Sequence, residues 1–333
     1  MTDHEQMFSE KSHPDDLAAD FCVRLATATD VVGGKFAALC RLSSDGITVP
    51  SAFCLTTRAF ATDLQHCISA SLLLSFNESQ RLAEYQRSAE LGKQISEAIR
   101  NHSLPRSLVE VLRNKLSQLR YPVVVRSSAA AEDSPTRSFA GVFDSVLGLT
   151  REDQIFEAIK QCWASLFSER ALAYCRSFGE TLENAKMALI CQTMIVPSVA
   201  GVLFTRDPIK TGHVLTINAS WGLPSLLVGG EIVPDLYELG QNGQVLDREI
   251  GSKKLVSEYV DGRLMTRRTS PSENGRYCLT GPELSRLFEC GKKIESIFGL
   301  PQDIEWAIQS GTLYVLQSRA ITTPPIEAKS NEP

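Results

Sequence analysis

Residues Val123–Gly141 read VVVRSSAAAEDSPTRSFAG. Three valines run into Arg126, and behind it come two serines, three alanines, two acidic residues and a Ser-Pro turn. A β-branched run favours a pleated, half-buried strand, so the pattern predicts a strand over 121–126 that ends on the arginine. The stretch behind it is small and hydroxyl-rich, which packs poorly and bends easily. A guanidinium held at a strand end, with a loop that can close over it, suits an anion such as a phosphate.

Working outward, the chain has 333 residues, 43% hydrophobic and 22% charged, with net charge −5. That length supports a large core in about two domains. There is no basic stripe of the kind that binds nucleic acid, and with aromatics at 7% base-stacking platforms are not expected. No run approaches the ~18 apolar residues of a membrane helix. The polar start MTDHEQMFSEKSHPDD lacks the apolar core of a signal peptide, so the expected location is cytoplasmic. Nine cysteines are scattered without a CxxC pair, and neither a zinc site nor a disulfide framework is expected.

The segment after Gly33-Gly34 places Phe36, Leu39, Cys40 and Leu42 at helical spacing, so a helix is expected to open at the glycine pair. Residues 47–56 read as a loop and short strand, and 58–120 as helices. A strand is expected over 142–149 and one long amphipathic helix over 151–178. Beyond it strand signals dominate, with a Gly-rich loop GLPSLLVGG and a hairpin turning at Asn242-Gly243. A helix is expected at 281–298, opened by Thr280-Gly281-Pro282-Glu283. Two short strands then meet at Ser310-Gly311. The fold class is α+β, with mixed or antiparallel sheets.

The last hairpin carries the clearest chemistry. Asp303 and Glu305 are two apart on one strand, and Gln317 and Arg319 two apart on the other, so each pair shares a face. Two carboxylates with an amide and a guanidinium offer the hard oxygen ligands that Mg²⁺ shares with a phosphate. They would equally make a solvated face with two surface salt bridges. Lys35, at the start of a helix behind two glycines, can meet a phosphate where the helix dipole also favours one, although no GxxxxGK[ST] loop is present. Gln192, Met194 and Val196 alternate along an apolar strand and could form a purine slot, though periodicity alone favours ordinary core positions.

Taken together, GGKFAAL, GITVPSAFCLTT, VVVRSSAAAEDSPTRSFAGVFDSVLGL, CWASLFSERALAY, AGVLFTRDP, GEIVPDLYEL and DIEWAIQSGTLYVLQSRAIT resemble the N-terminal nucleotide-binding domain of the phosphoenolpyruvate synthase and pyruvate phosphate dikinase family. That domain is shared with rifampicin phosphotransferase. The resemblance covers about residues 20–324. It implies an ATP-grasp fold of two lobes, 16–190 and 191–324; the polar composition of the two ends predicts a flexible N-terminus (1–15) and a tail (325–333). It implies ATP and Mg²⁺ as ligands. Lys35, Arg126 and Arg319 would act on the phosphates, with Ser127 and Ser128 beside them and the loop to Gly141 covering them. Gln192, Met194 and Val196 would lie along the adenine. Asp303, Glu305 and Gln317 would hold the metal, and Gln317 and Arg319 match the family's QSR motif.

The departures are local. Phe36 and Ala38 replace a glycine and an asparagine, Ala130 a threonine, Val142 a glutamine, Pro224-Ser225 a Gly-Glu pair and Ala320 a proline. In the family, ATP phosphorylates a histidine on a swivelling domain. None of His4, His13, His66, His102 and His213 sits in a matching segment. The expected function is therefore a Mg-ATP-dependent phosphotransferase module. Its acceptor is a histidine on a separate carrier protein or a small molecule. The alternatives are a ligase or condensing component working through an acyl phosphate, and a non-catalytic nucleotide-binding regulatory subunit.

Overall fold

A computed structural model describes residues 14–129, 142–206 and 214–321. Residues 1–13, 130–141, 207–213 and 322 onward lie outside the described residues, so the expectations placed on them are not addressed by it. The chain divides into two compact units. One takes in residues up to 37 and 51–194; the other takes in 38–50 and 195 onward. The segment 38–50 thus groups with the later unit, so no single cut in the sequence separates the two.

After a short helical turn, Pro14–Leu17, the first unit runs through strand β1 (Ala18–Asp20) and a 3-10 turn, Val23–Thr27, to the start of helix α1 (Thr29–Ser44). Strand β2 (Ala52–Leu55) leads into four helices: α2 (Thr57–Cys67), α3 (Ala70–Arg81), α4 (Tyr85–Asn101) and α5 (Arg106–Leu116). Strands β3 (Val123–Ala129) and β4 (Ser145–Leu149), helices α6 (Glu152–Ser165) and α7 (Glu169–Ser177), and strand β5 (Met187–Thr193) complete it. The sheet runs β1-β2-β5-β3-β4, antiparallel throughout. Val123, Val125, Leu189 and Cys191 face a core with Phe60, Phe76, Trp163 and Phe167. Burying such aromatics, each worth about 1.5–3 kcal/mol, is what fixes the helices on one face of the sheet.

Three expectations change here. The arginine strand does not stop at Arg126. It runs three residues further, because Ser127, Ser128 and Ala129 pair with Leu189, Ala188 and Met187 of β5. The helix expected over 151–178 is two helices. Ser168 breaks it by accepting the Ala171 N–H on its hydroxyl and capping α7. Met194 and Val196 lie beyond β5, whose ladder ends at Thr193 where its neighbours β2 and β3 begin.

The second unit is a six-stranded antiparallel sheet, with strands β6 (Val199–Phe204), β7 (Leu215–Trp221), β8 (Asp235–Leu239) and β9 (Val245–Glu249). A separate ribbon, β10 (Leu255–Val260) and β11 (Arg263–Arg268), precedes helix α8 (Gly281–Phe298) and the hairpin β12 (Gln302–Gln309) and β13 (Thr312–Ala320). The sheet order is β13-β12-β6-β7-β8-β9. Helix α8 opens with the expected capping box, Thr280 and Glu283 reciprocating, and closes on left-handed Gly299. Gly291 brings it against Leu203 and Leu215, so α8 covers one face of the sheet. The expected Gly-rich loop at 222–230 instead holds a four-residue helical turn, Ser225–Val228, which buries Leu226.

Candidate nucleotide site

In the first unit, helix α1 is broken at Gly33, whose φ of 74° and ψ of 165° are not helical. A Cβ there would lie 1.6 Å from the Ser128 carbonyl oxygen, so only glycine tolerates both the left-handed backbone and the approach of β3. The Ser128 hydroxyl bridges the break: it donates to the Val32 carbonyl at 2.8 Å and accepts the Phe36 N–H at 3.1 Å. It therefore works as an N-cap supplied from another element. It fixes the turn that presents Gly34 and the half-buried Lys35.

Strand alternation sorts the neighbouring candidates. Ser127 stands on the core face with Val125 and Ala129, while Arg126 and Ser128 stand on the opposite face. On β5, Gln192 is opposite Val124 and Ile190 opposite Arg126. Gln192 is therefore a diagonal neighbour of Arg126 on that same face, about 7–8 Å away by strand geometry. Gln192 is 4% exposed, and its Nε2 has no hydrogen-bond partner among the described residues. A buried donor without an acceptor is costly and marks a place for an acceptor atom. Met194 is buried just past the strand, and the Val196 N–H donates to Gln309 Oε1 at 2.6 Å.

In the second unit the hairpin forms a square. Asp303 is directly opposite Arg319 and Glu305 directly opposite Gln317. Arg319 places Nε 2.8 Å and Nη2 2.7 Å from Asp303 Oδ2. Burial holds the Asp303 carboxyl above its ordinary value, with Glu305 adding to the rise and Arg319 opposing it. Glu305 accepts no hydrogen bond among the described residues. The same sheet face continues inward through Phe204 to Thr216 and Glu238, and through Val202 to Asn218. Thr216 and Glu238 are buried polar residues that share this face with the hairpin square. Sequence reading missed them; the only signal was alternation within single strands, which does not reveal which rows align. At its other end the face becomes apolar, where Ile195, Ala200 and Ala307 cluster with Tyr314 and Leu316.

The donor set fits the ligands. Asp303, Glu305 and Gln317 provide hard oxygens of the kind Mg²⁺ takes, and Glu305 has its carboxylate uncommitted. The orphaned Gln192 amide fits an acceptor such as a ring nitrogen or phosphate oxygen. No helix among the described residues is long and apolar enough to cross a membrane.

The family model of the pyruvate phosphate dikinase AMP/ATP-binding domain matches residues 29–333. The rifampicin phosphotransferase of Bacillus subtilis is 35% identical over 313 residues, covering 92% of this chain and 36% of the relative. A probable phosphoenolpyruvate synthase of Methanothermobacter thermautotrophicus is 30% identical over 301 residues, covering 88% and 44%. The chain thus spans well under half the length of these relatives. Among solved structures, the dinucleotide-forming acetyl-coenzyme A synthetase 1 of Ca. Korarchaeum cryptofilum covers 85% of this chain and 90% of its own, at TM-score 0.40 and 13% identity.

Proposed function

This chain belongs to the pyruvate phosphate dikinase AMP/ATP-binding domain family, and from that premise we propose that it is the ATP-grasp module of a phosphotransferase. It takes ATP with Mg²⁺ and passes a phosphoryl group to an acceptor. The observation that carries the reading is the cross-strand square of Asp303, Glu305, Gln317 and Arg319. On one strand pair it offers both oxygen ligands for a cation and a guanidinium for a phosphate.

In this reading Glu305, Asp303 and Gln317 hold Mg²⁺, which when bound neutralises charge on the phosphate oxygens. Arg319 and Arg126 bind phosphate oxygens and stabilise the charge that develops on transfer. Lys35 adds a third cation, placed by the Gly33 turn and the Ser128 clamp. Gln192 donates its buried Nε2 to the nucleotide, with Met194 and Val196 along the ring. Ser127 supports the strand from its core face. The proposed acceptor is a histidine on a separate carrier, or a small molecule bound directly.

Following ATP, ADP, AMP and phosphate by phosphorus NMR tests this, with and without a candidate carrier. Lys35→Ala and Arg126→Ala should each slow turnover by about 100-fold or more. Turnover unchanged in both variants overturns the mechanism. Nucleotide binding without turnover under every condition supports a regulatory subunit instead, and a new carboxylate adduct supports a ligase.

A further inference from the structure

A second constellation lies in the helical layer of the first unit, on elements that carry none of the nucleotide-site residues. Asp63 and Cys67 are four apart on α2 and so share a helix face. His102 caps the C-terminus of α4. One carboxylate oxygen of Asp63, the Cys67 sulfur and a ring nitrogen of His102 all lie within 4.8 Å of one another. We propose that these three residues form a transition-metal site suited to Zn²⁺, with water in the fourth position.

Two features point to a cation. The first is the orphaned Asp63 oxygen. The side chain is 0% exposed, and while Oδ1 meets His102, Oδ2 has no hydrogen-bond partner among the described residues. A buried carboxylate oxygen without a donor costs free energy, and a metal ion would satisfy it. The second is the histidine. Its Nδ1 is 2.8 Å from the Ile99 carbonyl and its Nε2 is 2.8 Å from Asp63 Oδ1. A carbonyl only accepts, so Nδ1 carries a proton and orients the ring with Nε2 toward the cluster. Metal-ligating histidines are typically held in this way by a second partner.

Lys160 donates to the Arg100 and His102 carbonyls at 3.1 Å, fixing the turn that carries the ring, and pairs with Glu157 at 2.8 Å. His66 is exposed on α2, its ring 6.0 Å from that of His102. One thiolate, one imidazole and one carboxylate is a donor set that zinc accepts. Donor atoms around tetrahedral zinc lie about 3.3–3.8 Å apart, given bonds of about 2.0–2.3 Å. The Asp63–His102 contact must open by about half an ångström to admit the ion. On binding, metal–sulfur, metal–nitrogen and metal–oxygen bonds form. The thiol proton and the proton shared by Asp63 and His102 leave to solvent.

Cobalt(II) titrated into the full chain is the probe. The expected result is a near-ultraviolet thiolate-to-cobalt charge-transfer band that saturates at one equivalent and is displaced by Zn²⁺. Cys67→Ser should abolish the band while circular dichroism stays unchanged, and Asp63→Asn should weaken affinity by about 10–100-fold. Zinc should raise the melting temperature of the native chain and not that of Cys67→Ser. A missing band, or one of equal intensity in folded Cys67→Ser, overturns the proposal. A nucleotide-site cation held by oxygen ligands gives no thiolate band, so the two sites are read separately.

Discussion

Two aspartate–cation pairs stand on opposite faces of the six-stranded sheet, and they differ in what their oxygens do. Asp235 and Lys253 are both completely buried and form an ion pair. Asp235 Oδ1 also accepts the Gly251 N–H at 2.9 Å, and Oδ2 accepts the Cys278 N–H at 2.8 Å. Both oxygens are committed, and they tie the 251–253 turn and the lead-in to α8 onto β8. Asp303 and Arg319 are partly open, at 13% and 32% side-chain exposure, and of the two Asp303 oxygens it is Oδ2 that meets Arg319. A pair with both oxygens committed and no access to solvent holds structure. A pair with an oxygen to spare and a route to solvent can hold a ligand. The residue types are the same class; the coordination separates the roles.

The largest effect should come from breaking the buried pair. Lys253→Met leaves Asp235 charged and buried without its cation, and should cost about 3–5 kcal/mol in urea denaturation. A loss below about 1 kcal/mol, the range of an exposed pair, would erase the contrast. Arg319→Met should do the reverse, lowering ATP turnover by about 100-fold while costing about 1 kcal/mol or less of stability. If the stability losses of the two variants match, the distinction by coordination fails.

Asp303→Asn sharpens the comparison through pH. Burial raises the folded carboxyl above 3.8, so its ionisation opposes folding. The stability it contributes is present below the ordinary carboxylate value and is lost as pH rises through the folded one. The melting temperature of Asp303→Asn relative to native should therefore improve between about pH 4 and neutrality. The smallest effect belongs to Glu273, which Arg267 bonds together with Glu258 beside the β10–β11 ribbon. Arg267 and Ser270 pull the Glu273 carboxyl down to about 2. The stabilisation is present above the ordinary value of 4.5 and fades as pH falls toward about 2. Glu273→Gln should cost less than about 1 kcal/mol at neutral pH, and thermal melts at a series of pH values measure that loss.

Much of the fold is legible in short patterns. The capping box placed α8 at Gly281–Phe298, and the two-residue spacings on the final strands marked the polar face of a hairpin turning at Ser310-Gly311. These are local effects of backbone preference and side-chain period, and a single segment contains them. The overextended helix at 151–178 shows the limit. Apolar spacing continued through Phe167, and the break depended on whether Ser168 would cap a new helix or remain inside the old one.

By itself, then, the sequence determined most of the elements, the residue types at the candidate site positions and the family resemblance. Tertiary structure decided which of those residues share a face. Register across β3 and β5 brought Gln192 beside Arg126 and put Ser127 on the other side. Register across β12, β6, β7 and β8 aligned Asp303 with Thr216 and Glu238. The approach of β3 to the α1 break turned Ser128 into a clamp, and the ends of α2 and α4 joined Asp63 and Cys67 to His102. The physical reason is that side-chain period is local, whereas pairing register and helix packing are set by burying one shared apolar face between segments far apart in the chain.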